Sequence, residues 1–126
     1  MSTNRLGFIG EEMVKLDLLD RYPEFQIYRP CVDDHLVDFL VDTGKSIKKV
    51  QVKTRTKLKT KSAMEIRLGK YTKSDIDVIA VYYKPKDLIC YVPYSGEQCL
   101  NLAMTSAMNN QKSKRNWFYQ YMEFPV

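Results

Sequence analysis

Histidine and cysteine are scarce in this sequence, and their scarcity excludes several kinds of site. The only histidine is His35, so neither a Ser/His/Asp triad nor a histidine-based zinc site is expected. The three cysteines lie far apart without a CxxC pair, which argues against a zinc site and a disulfide framework; they are Cys31, Cys90 and Cys99. We therefore expect reduced core thiols in a cytoplasmic protein.

Long apolar runs are also absent. No segment approaches the roughly 18–20 apolar residues of a membrane-spanning helix, and the first residues lack the layout of a signal peptide. The chain has 126 residues, of which 44% are hydrophobic and 28% are charged. This length and composition predict one globular domain over residues 1–126, without a membrane partner.

Acidic residues are nearly missing from residues 45–73. This segment holds eleven Lys or Arg and one acid, Glu65, although the net charge of the whole chain is only +5. Such a dense cluster of cations favours a polyanionic partner, and we expect double-stranded DNA, because neutralised phosphates supply most of the non-specific affinity.

Many of these cations fall on alternate residues, interrupted by Gln51. They are Lys49, Lys53, Arg55, Lys57, Lys59 and Lys61. The alternation predicts a row along one face of a strand that ends near Lys59. The lysines would contact phosphates, while Arg55 and Arg67 are candidates for bidentate contacts with guanine. Further phosphate contacts are expected from Lys70, Lys73, Lys112, Lys114 and Arg115.

Apolar periodicity predicts an α/β fold that begins with a helix, capped by Thr3 or Asn4. Its apolar stripe comprises Leu6, Ile9, Met13 and Leu16, with Gly7 and Gly10 on or beside it. The glycines would let another backbone approach closely. A second helix is predicted over 96–108, where Leu100, Ala103, Met104 and Ala107 recur at helical spacing.

Alternating apolar residues predict the strands. A short strand is expected over 25–28, a hairpin over 37–53, and a return strand over 62–71 that pairs with the basic strand. A second hairpin over 77–94 has near-continuous apolar runs, which are typical of central strands covered on both faces.

The register of the first hairpin can be predicted from its turn. With Gly44-Lys45 as a two-residue loop, Asp38 lies directly opposite Gln51, and Leu36 lies opposite Lys53. An even loop length keeps Asp38 and Gln51 on one face, whereas a three-residue loop would separate them.

Asp38, Lys53 and the helical Glu11 suit metal-dependent phosphodiester hydrolysis. Carboxylates are ligands that Mg²⁺ prefers, and a neighbouring lysine can orient water or neutralise developing charge. The alternatives are that Asp38 is a surface acid paired with Lys49 or Lys53, and that Glu11 is a solvated helix residue. 

Two further groups invite a functional interpretation but are expected to be structural. Asp75 would cap a turn, and Asp77 would serve the adjacent strand. The aromatic tail could stack on bases, but packing is the favoured interpretation for Trp117, Phe118, Tyr119 and Tyr121.

At these segments the chain resembles the PD-(D/E)XK nuclease family, and within it the homing endonucleases of cyanobacterial group I introns. The segments are GFIGEEMV at 7–14, VDFLVD at 37–42, QVKTRT at 51–56, SDIDVIAVYY at 74–83 and LICYVPY at 88–94. The resemblance implies a restriction-endonuclease-like α/β fold, with a mixed central sheet flanked by helices. It also implies a divalent cofactor, Mg²⁺ or another such as Mn²⁺.

The resemblance assigns roles to individual residues. Asp38 matches the metal-binding acid of the family, although Val37 stands where the family has proline. Lys53 matches the motif lysine, and Val52 would offer its backbone carbonyl to the metal. On the first helix Glu11 matches the family's acid, with Glu12 as the alternative.

Gln51 departs from the family pattern, which usually has Asp or Glu there. An amide oxygen can still ligate a hard cation, and the intron-encoded group resembles this chain in carrying glutamine. We therefore predict a working variant of the site in which Glu11 matters more, because Gln51 contributes no charge.

The implied activity is site-specific cleavage of double-stranded DNA in the service of intron mobility. One small subunit with one site cuts one strand, so at least a homodimer is expected, and the resemblance suggests a tetramer. Two alternatives stay open. One is a Holliday-junction resolvase, and the other is a non-catalytic DNA-binding protein in which Gln51 marks a lost site.

Overall fold

The structure is a computed structural model that describes residues 1–32, 36–69, 71–72, 74–105 and 116–126. Its elements are α1 (Thr3–Arg21), β1 (Gln26–Tyr28), β2 (Phe39–Asp42), β3 (Ile47–Arg55), β4 (Ala63–Arg67), β5 (Val78–Tyr83), β6 (Leu88–Pro93) and β7 (Cys99–Ala103). Short 3₁₀ turns cover Lys84–Lys86 and Phe118–Tyr121.

A mixed five-stranded sheet in the order β1-β2-β3-β5-β6 forms the centre of the molecule. β3 and β5 are parallel, and the other neighbours are antiparallel. One face packs against α1, and the other packs against the antiparallel pair β4–β7 and the second 3₁₀ turn. The predicted α/β class with a mixed central sheet is confirmed.

Strand β5 shows why the sheet has two cores. Val78 and Ala80 join the core beneath α1, while Ile79, Val81 and Tyr83 join the core beneath β4 and β7. All six residues of β5 are buried, as the apolar run without polar alternation predicts. Its partner β6 instead lies at an edge of this sheet.

The buried stripe of α1 differs from the predicted one. Gly10, Val14 and Leu18 face the sheet, whereas Leu16 is 55% exposed. Residues at i, i+4 and i+8 form one face as readily as the predicted series, so contact with the sheet decides which face is buried. The N-cap is Ser2, not Thr3 or Asn4.

Two element predictions are wrong. The helix predicted over 96–108 does not form in its described part, because Cys99–Ala103 is the strand β7, paired with β4 from Ala63↔Ala103 to Arg67↔Cys99; residues 106–108 lie outside the described residues. The return segment therefore pairs with β7 and not with the basic strand. Leu100 fits a helical spacing with Ala103 and Met104 and a period of two with Leu102, and pairing with β4 decides for the strand.

The basic row is also shorter than predicted. β3 ends at Arg55, so Lys57, Lys59 and Lys61 lie in the irregular segment 56–62. The return segment β4 does not pair with β3. The alternate cations beyond Arg55 therefore do not share one strand face.

The three cysteines differ in their burial. Cys90 is buried and Cys99 is half-buried, but Cys31 is exposed, so the expectation of core thiols is wrong for Cys31. Within the described ranges, α1 and the short turns include no helix long and apolar enough to cross a membrane.

Candidate active site

The hairpin that carries the predicted site forms as expected. Its ladder runs from Phe39↔Val50 to Asp42↔Ile47, which is the predicted register. Gly44 occupies the first central position of the turn with a φ of 89°, a backbone conformation that glycine adopts without strain.

At Asp38 the pairing departs from the prediction. The Asp38 backbone N–H donates to the Val50 carbonyl at 2.8 Å, although Val50 already pairs with Phe39. Two residues on this side therefore oppose one on β3, which is the arrangement of a β-bulge. The predicted direct pair between Asp38 and Gln51 is consequently wrong, and the ladder does not reach Leu36.

The bulge turns the Asp38 side chain toward the backbone of β3. Its Oδ2 accepts a hydrogen bond from the Val52 N–H at 2.8 Å. Because Val52 lies between Gln51 and Lys53, the carboxylate is held beside the segment that supplies the other predicted ligands. Asp38 is half-buried and, among the described residues, forms no ion pair.

The surroundings of Asp38 disfavour its charge. Burial raises the pKa of Asp38, while the hydrogen bond from Val52 and the charges of Lys53 and Arg29 act in the opposite direction. The net direction is upward, so ionisation of this carboxyl costs free energy in the metal-free protein. A bound cation would offset that cost.

Gln51 presents a second unfavourable feature. Its Oε1 is buried and accepts no hydrogen bond from the part of the chain that the structure describes. An unsatisfied buried polar atom costs about 1–3 kcal/mol, and in native proteins such atoms are commonly explained by an ordered water, a catalytic role or a bound ion. The amide oxygen is therefore available as a hard ligand.

Helix α1 brings Glu11 to the same region. Glu11 and Asp38 line one cavity of about 580 Å³, together with Arg29 and the first turns of α1. The helix approaches β3 closely at Gly10, which has no side chain. A Cβ at that position would lie only 1.8 Å from Thr54 Oγ1. By contrast, a Cβ at Gly7 meets nothing within 4 Å, so the close approach predicted for both glycines occurs at Gly10 alone.

Glu12, the alternative acid, is engaged elsewhere. It forms ion pairs with Lys15 at 2.7 Å and with Arg29. Hydrogen bonds from these two partners lower the pKa of Glu12, and the one from Lys15 has the larger effect. Of the two adjacent acids, only Glu11 is a cavity-lining residue, which favours it over Glu12 as a ligand.

Lys53 lies on β3 with its Nζ 5.5 Å from the centre of the Tyr71 ring. This cation–π contact holds the ammonium in place. The charge of Lys53 partly opposes the rise that burial causes in the pKa of Asp38. No sequence pattern indicates either Tyr71 or Arg29 as a neighbour of the site, because each arrives through tertiary packing.

The donors fit Mg²⁺ in kind. Carboxylate, amide and carbonyl oxygens are the ligands this ion prefers. The described residues contain no group of three or more His, Cys, Asp or Glu that could hold a metal. A metal at this site would therefore depend on the Gln51 amide and on backbone oxygen, as well as on Asp38 and Glu11.

The two arginines predicted to contact guanine differ in exposure, since one is half-buried and the other is exposed. Arg55 is half-buried, its Nη1 donates to the Thr54 carbonyl at 2.9 Å, and burial lowers its pKa. Arg67 is 80% exposed on β4 and pairs with Glu65 at 3.0 Å. Only Arg67 is thus presented to a partner.

The predicted phosphate-binding lysines also differ from one another. Lys49 donates to the Ser74 carbonyl, and Lys59 pairs with Glu65 at 2.7 Å, while Lys57 and Lys61 are exposed. The remaining predicted cations fall outside the described residues: Lys70, Lys73, Lys112, Lys114 and Arg115.

Most of the residues expected to be structural are so. Asp75 accepts hydrogen bonds from the Thr72 N–H and hydroxyl at 2.9 and 3.0 Å, and Asp77 accepts one from the Lys49 N–H at 2.8 Å. In the aromatic tail Phe118 is fully buried, which confirms packing for that residue, whereas Tyr119 is 48% exposed and departs from the prediction.

Comparison with known proteins bears directly on these segments. The family model described as PD-(D/E)XK endonuclease matches residues 1–124. The chain belongs to this family. The resemblance found in the sequence is confirmed, and nuclease activity is the function that family membership supports.

A likeness to a solved structure supports the fold. The bacterial homing endonuclease I-Ssp6803I matches with a TM-score of 0.70 over 96% of this chain and 88% of that chain, at 19% identity. At that identity the likeness establishes a shared fold. No curated protein matches the chain in sequence.

Proposed function

We propose that this protein is a Mg²⁺-dependent, site-specific endonuclease of double-stranded DNA. The observation that carries the proposal is the Asp38 carboxylate, hydrogen-bonded to the Val52 N–H between Gln51 and Lys53. Glu11 shares a cavity with that carboxylate, which supports a site formed between α1 and the hairpin.

Four groups would hold the metal: the carboxylates of Asp38 and Glu11, the Gln51 Oε1 and the Val52 carbonyl. The unsatisfied oxygen of Gln51 and the raised pKa of Asp38 both support this, because each cost would be relieved by a cation. When bound, Mg²⁺ supplies positive charge at the phosphate and lowers the pKa of a bound water.

Lys53 would act on the reacting phosphate. Its ammonium lies near enough to Asp38 to affect the pKa of that acid, and it can orient the attacking water or neutralise charge that develops on the phosphate. Attack in line with the leaving 3′-oxygen gives a 5′-phosphate and a 3′-hydroxyl, by likeness to the family.

The exposed cations would bind the DNA backbone. Lys57, Lys61 and Arg67 are exposed, and the segment that contains them is strongly basic. Cutting both strands with one site per subunit requires at least a homodimer. Intron homing and a tetramer are the further expectations from the family resemblance.

Cleavage of plasmid DNA with and without Mg²⁺ tests the proposal. The plasmids carry or lack a candidate target site, which is the DNA site at which an intron would insert. We expect metal-dependent cleavage of the site-bearing plasmid, lost in Lys53→Ala and retained in Lys84→Ala, a matched change at an exposed lysine of a 3₁₀ turn. If Lys53→Ala nicks as fast as the parent, the catalytic assignment is wrong. Preferred cleavage of a four-way junction would instead indicate a resolvase.

A further inference from the structure

Arg29 follows β1 directly and is held in one orientation by two neighbours. Its Nη2 donates to Glu12 on α1, and its guanidinium carbon lies 5.1 Å from the centre of the Phe39 ring on β2. A charged partner and an aromatic face together restrict the planar guanidinium, so its position relative to the two elements is defined.

The side chain lies at the wall of the candidate active site. Arg29 lines the cavity that Glu11 and Asp38 also line, and 39% of its side chain remains exposed. Lys53, the cation expected from the family motif, lies instead over the Tyr71 ring. Among the described residues that line the cavity, Arg29 is the cation, and it belongs to no recognised motif.

An ion pair with Glu12 alone does not explain an arginine here. Glu12 already pairs with Lys15 at 2.7 Å, so its charge is compensated without Arg29. Exposed pairs of this kind contribute about 0–1 kcal/mol, and a lysine would serve equally. The arginine fork instead suits bidentate binding of a phosphate, for which Glu12 and Phe39 preorganise it.

We propose that Arg29 binds the reacting phosphate of DNA in this cavity and that Glu12 is its positioning residue. The proposal rests on the proposed nuclease function. Under this proposal two protein cations contact the substrate phosphate. One is Lys53 on the QVK segment, and the other is Arg29, which precedes Asp38 in the chain.

Two variants at Arg29 separate charge from geometry. Arg29→Lys keeps the charge and can keep the pair with Glu12 but loses the fork, and Arg29→Gln loses the charge. Lys15→Ala is the matched control, because Lys15 also pairs with Glu12 but is not a cavity-lining residue. Each variant is measured for melting temperature, for affinity toward a fluorescent duplex in EDTA, and for single-turnover cleavage of plasmid DNA with Mg²⁺ or Mn²⁺.

We expect both Arg29 variants to lower the single-turnover rate by on the order of 10²-fold, the usual cost of one lost transition-state donor. Duplex affinity should fall less than about tenfold, since only one of many phosphate contacts is removed. Lys15→Ala should leave rate and affinity unchanged. Glu12→Gln should slow cleavage, and Arg29→Lys should add little in that background, because the two residues act as one unit.

Three results would overturn the role of Arg29. They are an unchanged rate in both variants, a loss confined to affinity, or a rate loss matched by Lys15→Ala. In each case the parent protein cleaves and the nuclease function stands. Absence of metal-dependent cleavage by the parent would instead overturn both proposals.

Discussion

The close approach of α1 to β3 at Gly10 allows a sharp test of how the helix is positioned. In Gly10→Ala the new Cβ would lie 1.8 Å from Thr54 Oγ1 and 3.1 Å from Thr54 Cβ, whereas ordinary contact begins at 3.4 Å. Rotation of the β-branched Thr54 side chain can move the oxygen but not Cβ, which stays 3.1 Å from the new methyl group. Full relief therefore requires the helix and the strand to separate.

The magnitude follows from two opposing terms. Overpacking of this kind costs about 1–3 kcal/mol, while alanine in place of a helical glycine gains about 1 kcal/mol. We expect a net loss of up to roughly 2 kcal/mol in the free energy of unfolding, since overpacking exceeds the gain in helix propensity. For a chain of this size the melting temperature would fall by roughly 3–10 °C.

Gly7→Ala is the matched control, because a Cβ at Gly7 meets nothing within 4 Å. It should gain about 1 kcal/mol from helix propensity alone. Thr54→Ala removes the Oγ1, which is buried without a partner among the described residues. In that background Gly10→Ala should be neutral or stabilising, with a coupling of at least about 1 kcal/mol.

Urea and thermal unfolding of the four variants and the parent, at one pH and without metal, give these quantities. If Gly10→Ala proves as stable as Gly7→Ala, the helix does not approach the strand as the structure has it. If Thr54→Ala fails to rescue it, the clash lies elsewhere. A confirmed clash further predicts that Gly10→Ala slows cleavage, because separating α1 from β3 moves Glu11 away from Asp38.

Three further predictions concern the site and the basic segment. Asp38→Asn should raise the melting temperature of the metal-free protein at neutral pH. The gain should shrink as pH falls, because the parent carboxyl, whose pKa is raised, then becomes neutral too; a gain that grows on acidification refutes the raised pKa. Gln51→Leu should keep or raise stability but abolish Mg²⁺ binding in calorimetry. Gln51→Glu should retain Mg²⁺ binding and keep or raise activity. Complete loss of Mg²⁺ binding in Gln51→Glu contradicts the ligand role. Lys57→Ala should flatten the salt dependence of DNA affinity by about one unit, and an unaltered slope would remove Lys57 from the interface.

Local patterns sufficed to predict the site-bearing hairpin and the central strand. The Gly44 turn determined the register from Phe39↔Val50 onward, and the unbroken apolar run of β5 indicated burial on both faces. These features depend on residues within a few positions of one another, which a sequence displays directly.

Features that depend on distant partners were not predictable. In β7, Leu100 satisfies a helical spacing with Ala103 and Met104 and a strand period with Leu102, and pairing with β4 decides between them. The bulge at Asp38 rests on one hydrogen bond to Val50, and no residue type announces it. The same holds for the position of Arg29, which is fixed by Glu12 and Phe39 from two other elements.

The bulge is the feature that joins the predictions to the function. Without it, Asp38 would stand in the ladder opposite Gln51; with it, the carboxylate accepts the Val52 N–H. The same junction then carries two local costs, a raised pKa at Asp38 and an unsatisfied oxygen at Gln51. A DNA-binding protein without catalysis has no use for either cost, because asparagine and leucine would relieve them. Local costs of this kind are expected at functional sites, and the divalent cation that we propose here would relieve both.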